Sequence, residues 1–281
     1  MLRSSVLLRV FPAVFAALLV LGALNVSAQK DEPVLVMGGA DGVEKLDTST
    51  VADMSADADP YELLGTAAQD GLTFRILSKD PDGQGFRDAT LGAARLACVR
   101  KALLYIADVL NTTGELNLML GASQYDGTGP LAESGTLFPV TPGYTNGTAF
   151  LTLAEGSPHS PESAEIALVI DWGYAWYLGD GFPPTTQFDL RSVVLHEVTH
   201  GLGFISLLSA TGESRGKPNV YSVFDSFLRR SGTGEPMVDN PALPVFTGTA
   251  ADLTGGALVF GGPNATAAYG SSPFVNTPGT F

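Results

Sequence analysis

The sequence of 281 residues predicts an α+β fold, with a sheet-plus-helix upper lobe that carries an active-site helix and an irregular lower lobe. Three observations lead to this fold class. Apolar residues alternate at every second position in some segments, as in half-buried strands. In other segments they recur at every third or fourth position, as in helices. Beyond residue 206 the chain is rich in Gly, Pro, Ser and Thr, which favours loops and short elements.

The elements of the upper lobe follow in order along the chain. Residues 72–77 alternate and predict a strand, and the stepping of apolar residues over 91–110 predicts a helix. Residues 116–120 alternate again, whereas 121–148 are rich in Gly, Thr and Pro and predict a long loop. Residues 164–172 predict a further strand. At a sheet edge that strand would accept an extended peptide; the alternative is an ordinary strand of the sheet.

The N-terminal segment, residues 1–28, predicts a secretory signal peptide. Arg3 and Arg9 supply positive charge, residues 10–24 are mostly apolar, and Val26-Ser27-Ala28 fits a cleavage site that follows small residues. A secreted, extracellular protein is therefore expected; the alternative is an uncleaved membrane anchor.

The rest of the chain divides at about residue 70. Residues 29–70 are acidic and poor in aromatic residues, which predicts a loosely ordered lead-in that resembles a propeptide. Residues 71–281 are then expected to form the functional domain.

Composition restricts the partners of the protein. The chain has 29 acidic and 15 basic residues, for a formal net charge of −14, which argues against nucleic acid and anionic membranes as partners. No second apolar segment accompanies the N-terminal one, so stable membrane insertion is not expected. A single cysteine excludes an internal disulfide. The oligomeric state stays open.

The motif that carries chemistry is His196-Glu197-Val198-Thr199-His200, an HExxH. Residues four apart on a helix lie on one face, so both imidazoles can bind one Zn²⁺ at roughly 2.0–2.1 Å. Glu197 follows the first ligand, where a carboxylate can take a proton from the attacking water. This spacing is typical of zinc metallopeptidases.

The sequence around the motif favours a helix. Asp189 is a candidate N-cap, the run that follows carries enough apolar residues to bury one side, and Gly201 and Gly203 offer a C-terminal stop. The alternative is an ordinary amphipathic helix with two chance histidines.

The run VVLHEVTHGLGF, with DWGYAWYLGDG before it and SVFDSFLRR after it, resembles a bacterial-type family of secreted zincins. HGLGF also resembles the leishmanolysin-like metzincins. The resemblance covers roughly residues 72–281. It implies a metallopeptidase fold that acts on protein or peptide substrates, with Zn²⁺ as cofactor, His196 and His200 as ligands, and Glu197 as catalytic base.

The third zinc ligand departs from the compact metzincin pattern, because Ser206 stands where that pattern has a histidine and no histidine follows His200. In the resembling family the third ligand comes late, after a Gly-Ser-Ser-like segment. We therefore expect a domain that is incomplete at its C-terminus, with the ligand beyond residue 281. Alternatively, Asp225 or Glu213 serves as the ligand.

Other features leave alternatives open. Asp80 to Asp88 resembles the start of a calcium loop, but Leu91 stands where an EF-hand has its bidentate Glu, so an acidic turn is the preferred interpretation. Trp172, Trp176 and Tyr177 would line a substrate cleft or belong to the core. Two other functions compete with a peptidase: a noncatalytic surface or binding protein that keeps the scaffold, and a metal hydrolase that acts on a non-peptide bond.

Overall fold

The computed structural model describes residues 34–38, 62–122, 127–159, 164–215 and 217–275. The predicted signal peptide lies outside these residues. The described part of the chain contains both helices and strands, which confirms a mixed α+β fold. Within it, no helix is long and apolar enough to cross a membrane.

The chain forms two compact units. The first, here the sheet unit, consists of Val34–Phe138 and Gly147–Gly203. The described residues of the second, here the C-terminal unit, come from Pro139–Asn146 and Phe204–Phe281.

A six-stranded mixed sheet forms the centre of the sheet unit. Its strands are β1 (Val34–Gly38), β2 (Glu62–Gln69), β3 (Leu72–Ser78), β4 (Gly114–Ala122), β5 (Ala132–Phe138) and β7 (Ile166–Ile170). They are ordered β1-β5-β7-β4-β3-β2. The central strands β3, β4 and β7 are parallel, while β2, β5 and β1 pair antiparallel with their neighbours.

Three helices and a short strand pair complete the sheet unit. They are α1 (Gly92–Leu110), α2 (Thr148–Glu155), α3 (Leu190–Gly201), β8 (Trp176–Tyr177) and β9 (Phe188–Asp189). Helices α1 and α3 pack against each other, and α3 also lies on β5. Strand β3 buries every second residue from Leu72 to Ser78, as its alternation predicts, and places its apolar side in this core.

Strands β1 and β2 lie in the predicted lead-in, so the sheet begins before residue 71. The apolar pattern of strand β2, ELLGTAAQ, is too weak to predict a strand. The missed signal is the turn at Asp70-Gly71, where both residues have positive φ, 52° and 96°. An Asp-Gly pair with this conformation joins two strands in a tight hairpin.

The predicted loop over 121–148 is wrong in its middle, because it contains β5. Small residues at Ser134, Gly135 and Thr136 hide the strand from a hydrophobic pattern, yet all three are buried. Of the two alternatives for the strand of 164–172, the ordinary strand of the sheet is confirmed and the edge strand is excluded. Strand β7 lies inside the sheet, between β5 and β4.

The C-terminal unit has little regular structure, as the composition predicts. Its elements are β6 (Gly143–Thr145), β10 (Val220–Ser222), β11 (Leu228–Arg230), β12 (Val238–Asp239), β13 (Val245–Phe246), α4 (Ala250–Thr254), β14 (Leu258–Phe260) and α5 (Pro263–Tyr269). Its core is aromatic: Phe260 stacks on Phe224 with centroids 5.2 Å apart, and Phe204 and Phe227 pack beside them.

Candidate metal centre

Helix α3 carries the complete HExxH motif. It begins directly after Asp189, the predicted N-cap position, but the Asp189 carboxylate accepts from the Ser192 hydroxyl and not from a backbone amide. The helix ends at Gly201, and Gly203 then adopts a φ of +100° and donates its N–H to the carbonyl of His200. Glycine tolerates this left-handed conformation, so the predicted stop is confirmed at Gly203.

Glycine at the end of α3 also lets the helix approach the sheet closely. A Cβ added at Gly201 would lie 2.4 Å from Cγ2 of Ile166 and 3.0 Å from Oγ of Ser134. Apolar side chains on the same helix, among them Val194 and Val198, are fully buried. These contacts fix the helix on β5 and β7, so the motif is held on a rigid surface.

The two histidines converge as a bidentate metal site requires. Their Nε2 atoms lie 3.1 Å apart, and the rings are nearly perpendicular, with centroids separated by 4.8 Å. Two nitrogens that bind one tetrahedral Zn²⁺ at roughly 2.0–2.1 Å lie about 3.3 Å from each other. The separation of His196 from His200 therefore fits a shared zinc ion.

The protonation of His196 also suits a ligand. The protein withdraws the ring from water, which lowers the pKa of His196 to about 4, and the neighbouring His200 lowers it further. At neutral pH the ring is therefore uncharged, which is the form of imidazole that binds metal ions. His196 keeps part of its surface exposed to solvent, and His200 is half-buried.

Glu197 is buried on the side of the helix that faces away from solvent, and it is 5% exposed. Burial raises the pKa of its carboxyl group to about 9, the nearby charge of Glu133 raises it further, and a hydrogen bond from the backbone N–H of Ser134 partly offsets both. Its Oε2 atom is buried and has no hydrogen-bond partner among the described residues. Glu197 directly follows His196 on α3, and no group among the described residues stabilises a charge on this second oxygen.

Asp225, one alternative third ligand, is a fully buried residue of the C-terminal unit. Its Oδ1 accepts from the Ser206 hydroxyl at 2.6 Å, and its Oδ2 accepts from the N–H groups of Leu207 and Ser222 at 3.0 and 2.8 Å. Burial raises the pKa of Asp225 to about 6, and these hydrogen bonds oppose the shift. A carboxylate with three donors already has a structural role that explains its burial.

Glu213, the other alternative, is exposed in a loop of the same unit, where the Thr211 hydroxyl lies 3.5 Å from its Oε2. Among the described residues, no group of three or more His, Cys, Asp or Glu side chains is close enough to hold one metal ion.

The remaining histidine lies apart from this pair in the sheet unit. His159 is exposed, and its Nε2 contacts Oε2 of Glu155 at 2.8 Å, one turn earlier in the chain. His159 is therefore a surface residue.

The acidic segment from Asp80 to Asp88 forms the turn between β3 and α1, as its preferred interpretation predicts. Oδ2 of Asp80 accepts from the N–H of Phe86, and Oδ1 of Asp88 accepts from the N–H groups of Thr90 and Leu91. These carboxylates therefore shape the turn and the start of α1.

The aromatic residues before α3 divide between core and surface. Trp172 is 6% exposed, packs edge-on against Phe86, and lies 4.3 Å beneath the guanidinium of Arg95. Trp172 is therefore a core residue, whereas Trp176 and Tyr177 are half-buried.

Sequence reasoning missed two residues that influence Glu197: Ser134, whose N–H donates to its carboxylate, and Glu133, whose charge raises its pKa. Both lie in β5, in the segment AESGTLF that composition assigns to a loop. Only the end of this segment contains residues that favour a strand. No local pattern therefore indicated that β5 lies against Glu197.

Comparison with known proteins identifies no relative. The chain matches no family model, no curated protein and no solved structure.

Proposed function

We propose that this protein is a secreted, zinc-dependent metalloendopeptidase of the zincin type that hydrolyses peptide bonds in protein or peptide substrates. The observation that carries the proposal is the 3.1 Å separation of the Nε2 atoms of His196 and His200, on the helix that also carries the buried carboxyl group of Glu197. Three independent features coincide there: ligand type, ligand spacing and a candidate base.

The residues of this chain divide the chemistry between them. His196 and His200 would hold Zn²⁺, which supplies a Lewis acid for the scissile carbonyl and for activation of water. Glu197 accepts the proton of the attacking water and delivers it to the leaving amine. The N–H of Ser134 fixes the orientation of this carboxylate and stabilises its charged form.

Burial of Glu197 strengthens it as a base. Burial raises the pKa of Glu197 to about 9, so its carboxylate, once ionised, is a stronger base than that of an exposed glutamate. A cation held by His196 and His200 would favour the ionised form of this carboxyl group.

Three measurements test the proposal against the two competing functions. Elemental analysis should find zinc in the purified protein, and a casein-type assay should show cleavage that a chelator abolishes and added zinc restores. Zinc binding without cleavage of any protein or peptide would indicate a noncatalytic binding protein. Turnover of ester or glycan substrates but not peptides would indicate a different metal hydrolase.

A further inference from the structure

Strand β1 pairs with one side of β5, from Ser134 to Phe138. The two strands are antiparallel, and their register runs from Val34 opposite Phe138 to Gly38 opposite Ser134. Without β1, strand β5 would form the edge of the sheet, because its other side pairs with β7. The backbone groups that β5 presents to β1 would then be open to another extended chain.

This edge leads to the candidate active site. Ser134 lies opposite Gly38, at one end of the pairing between β5 and β1, and its N–H also donates to the Glu197 carboxylate. Strand β1 lies beside helix α3 as well. An extended chain on this edge therefore pairs with the same strand, and at Ser134 the same residue, that holds the base which the proposed function assigns.

The opposite edge of the sheet has no such relationship. Strand β2 forms that edge, four strands away from β5 in the sheet order, and the guanidinium of Arg100 on α1 donates to the carbonyl of Thr66 there. The β2 edge, where Arg100 binds a backbone carbonyl, therefore serves as the control for the β5 edge, which lies next to Glu197.

We propose that β1 is an internal blocking strand: residues 34–38 occupy the place on β5 where an extended peptide substrate binds, and the site accepts substrate when β1 leaves. The inference deepens the proposed function and rests on it for the identity of the substrate. Peptides that add a strand bind mainly through main-chain hydrogen bonds, so substrates of varied sequence fit the same edge.

Competition explains why an attached strand blocks effectively. A tethered strand has an effective concentration that can reach roughly millimolar, so it excludes a free peptide that binds the same edge with similar contacts. Release of β1 removes this competitor without any change in the residues of the site.

Two adjacent proline substitutions in the full chain separate release of β1 from general damage. Neighbouring N–H groups in a strand face opposite edges, so one of Leu35→Pro and Val36→Pro removes an N–H directed at β5 and the other an N–H directed away from it. Hydrogen exchange should show faster exchange at the β5 amides that face β1 in one variant only. Ala68→Pro, in β2, is the control for damage at a sheet edge remote from the site.

A binding measurement then tests the edge independently of catalysis. The probe is a fluorescent peptide with the sequence of residues 32–40, added to each proline variant in a Glu197→Gln background. We expect the releasing variant to bind it about tenfold more tightly than the unreleased protein, and the bound peptide to restore protection of the β5 amides. In protein that retains Glu197, the same proline variant should cleave peptides about tenfold faster than wild type at low substrate concentration.

The outcomes distinguish the two proposals. Tighter binding of the probe without cleavage by zinc-loaded protein supports the blocked edge and refutes the peptidase. Cleavage by wild type that no proline variant accelerates, with β1 released by the exchange measurement, overturns the blocking strand and leaves the peptidase intact. Released β5 amides that no peptide protects, or amides that neither proline affects, also overturn it.

Discussion

The backbone N–H of Ser134 donates a hydrogen bond to the carboxylate of Glu197, which connects strand β5 to helix α3 at the candidate active site. This contact orients a buried carboxyl group whose second oxygen has no partner among the described residues. Because Ser134 also ends the pairing with β1, one residue links the candidate base to the sheet edge on which an extended chain lies. Strand β5 thus connects the candidate base to that edge of the sheet.

The first prediction concerns the metal ligands. His196→Ala and His200→Ala should each abolish stoichiometric zinc binding, because a single remaining imidazole leaves the other positions to exchangeable water. Elemental analysis after dialysis measures this. His159→Ala is the matched control and should retain zinc, since His159 contacts Glu155 outside the pair. Zinc retained in both motif variants would refute the assignment.

The second prediction concerns the close packing of α3 against the sheet at Gly201. Gly201→Ala places a methyl group 2.4 Å from Ile166, so the helix must shift or the core must strain, at a cost of about 1–3 kcal/mol. Urea unfolding measures the loss of stability, and activity should fall with it because the motif moves. Gly232→Ala is the control, since its added Cβ meets nothing within 4 Å. Equal stability of the two variants would contradict the close approach.

The third prediction concerns Asp225 as a structural carboxylate. Asp225→Ala leaves the buried N–H groups of Leu207 and Ser222 without an acceptor and should lower the free energy of unfolding by roughly 3 kcal/mol or more. Asp225→Asn keeps one acceptor oxygen and should lose less. Zinc content decides its other possible role: loss of zinc from a folded Asp225→Asn variant would identify Asp225 as the third ligand.

The fourth prediction concerns pH. The pKa of Asp225 in the folded protein is about 6, above its ordinary value of 3.8, because burial disfavours the charged form. A raised folded-state pKa favours the folded state at low pH, and this contribution is lost as the pH rises from about 4 through about 6. The stability of wild type relative to Asp225→Asn should therefore fall over that interval. Urea unfolding of both proteins at several pH values tests it, and a difference that stays constant or rises would contradict the shift.

Sequence periodicity predicted the elements that bury apolar faces. Strand β3, helix α1 and strand β4 occupy nearly the predicted ranges, because their apolar residues face a single core. The motif helix was also predictable, since its spacing and its glycines are local properties of α3.

The features that sequence reasoning missed depend on pairing and not on local pattern. Strand β5 is built from small residues that make room for α3, and its strand character comes from β7 and β1 on either side. Strand β1 lies in the predicted lead-in, and only its register with β5 places it in the sheet. Long-range pairing of this kind leaves little trace in a single sequence.

The most direct test of the account is the Glu197→Gln substitution. Glutamine preserves size and burial but cannot accept a proton, so the variant should keep its zinc and lose about 10²–10⁴-fold in peptide cleavage. Glu155→Gln, at an exposed glutamate of the sheet unit that contacts His159, is the matched control and should keep both zinc and wild-type activity. Zinc retained with activity reduced by that factor is the predicted result. Wild-type cleavage by a zinc-loaded Glu197→Gln variant would contradict the account.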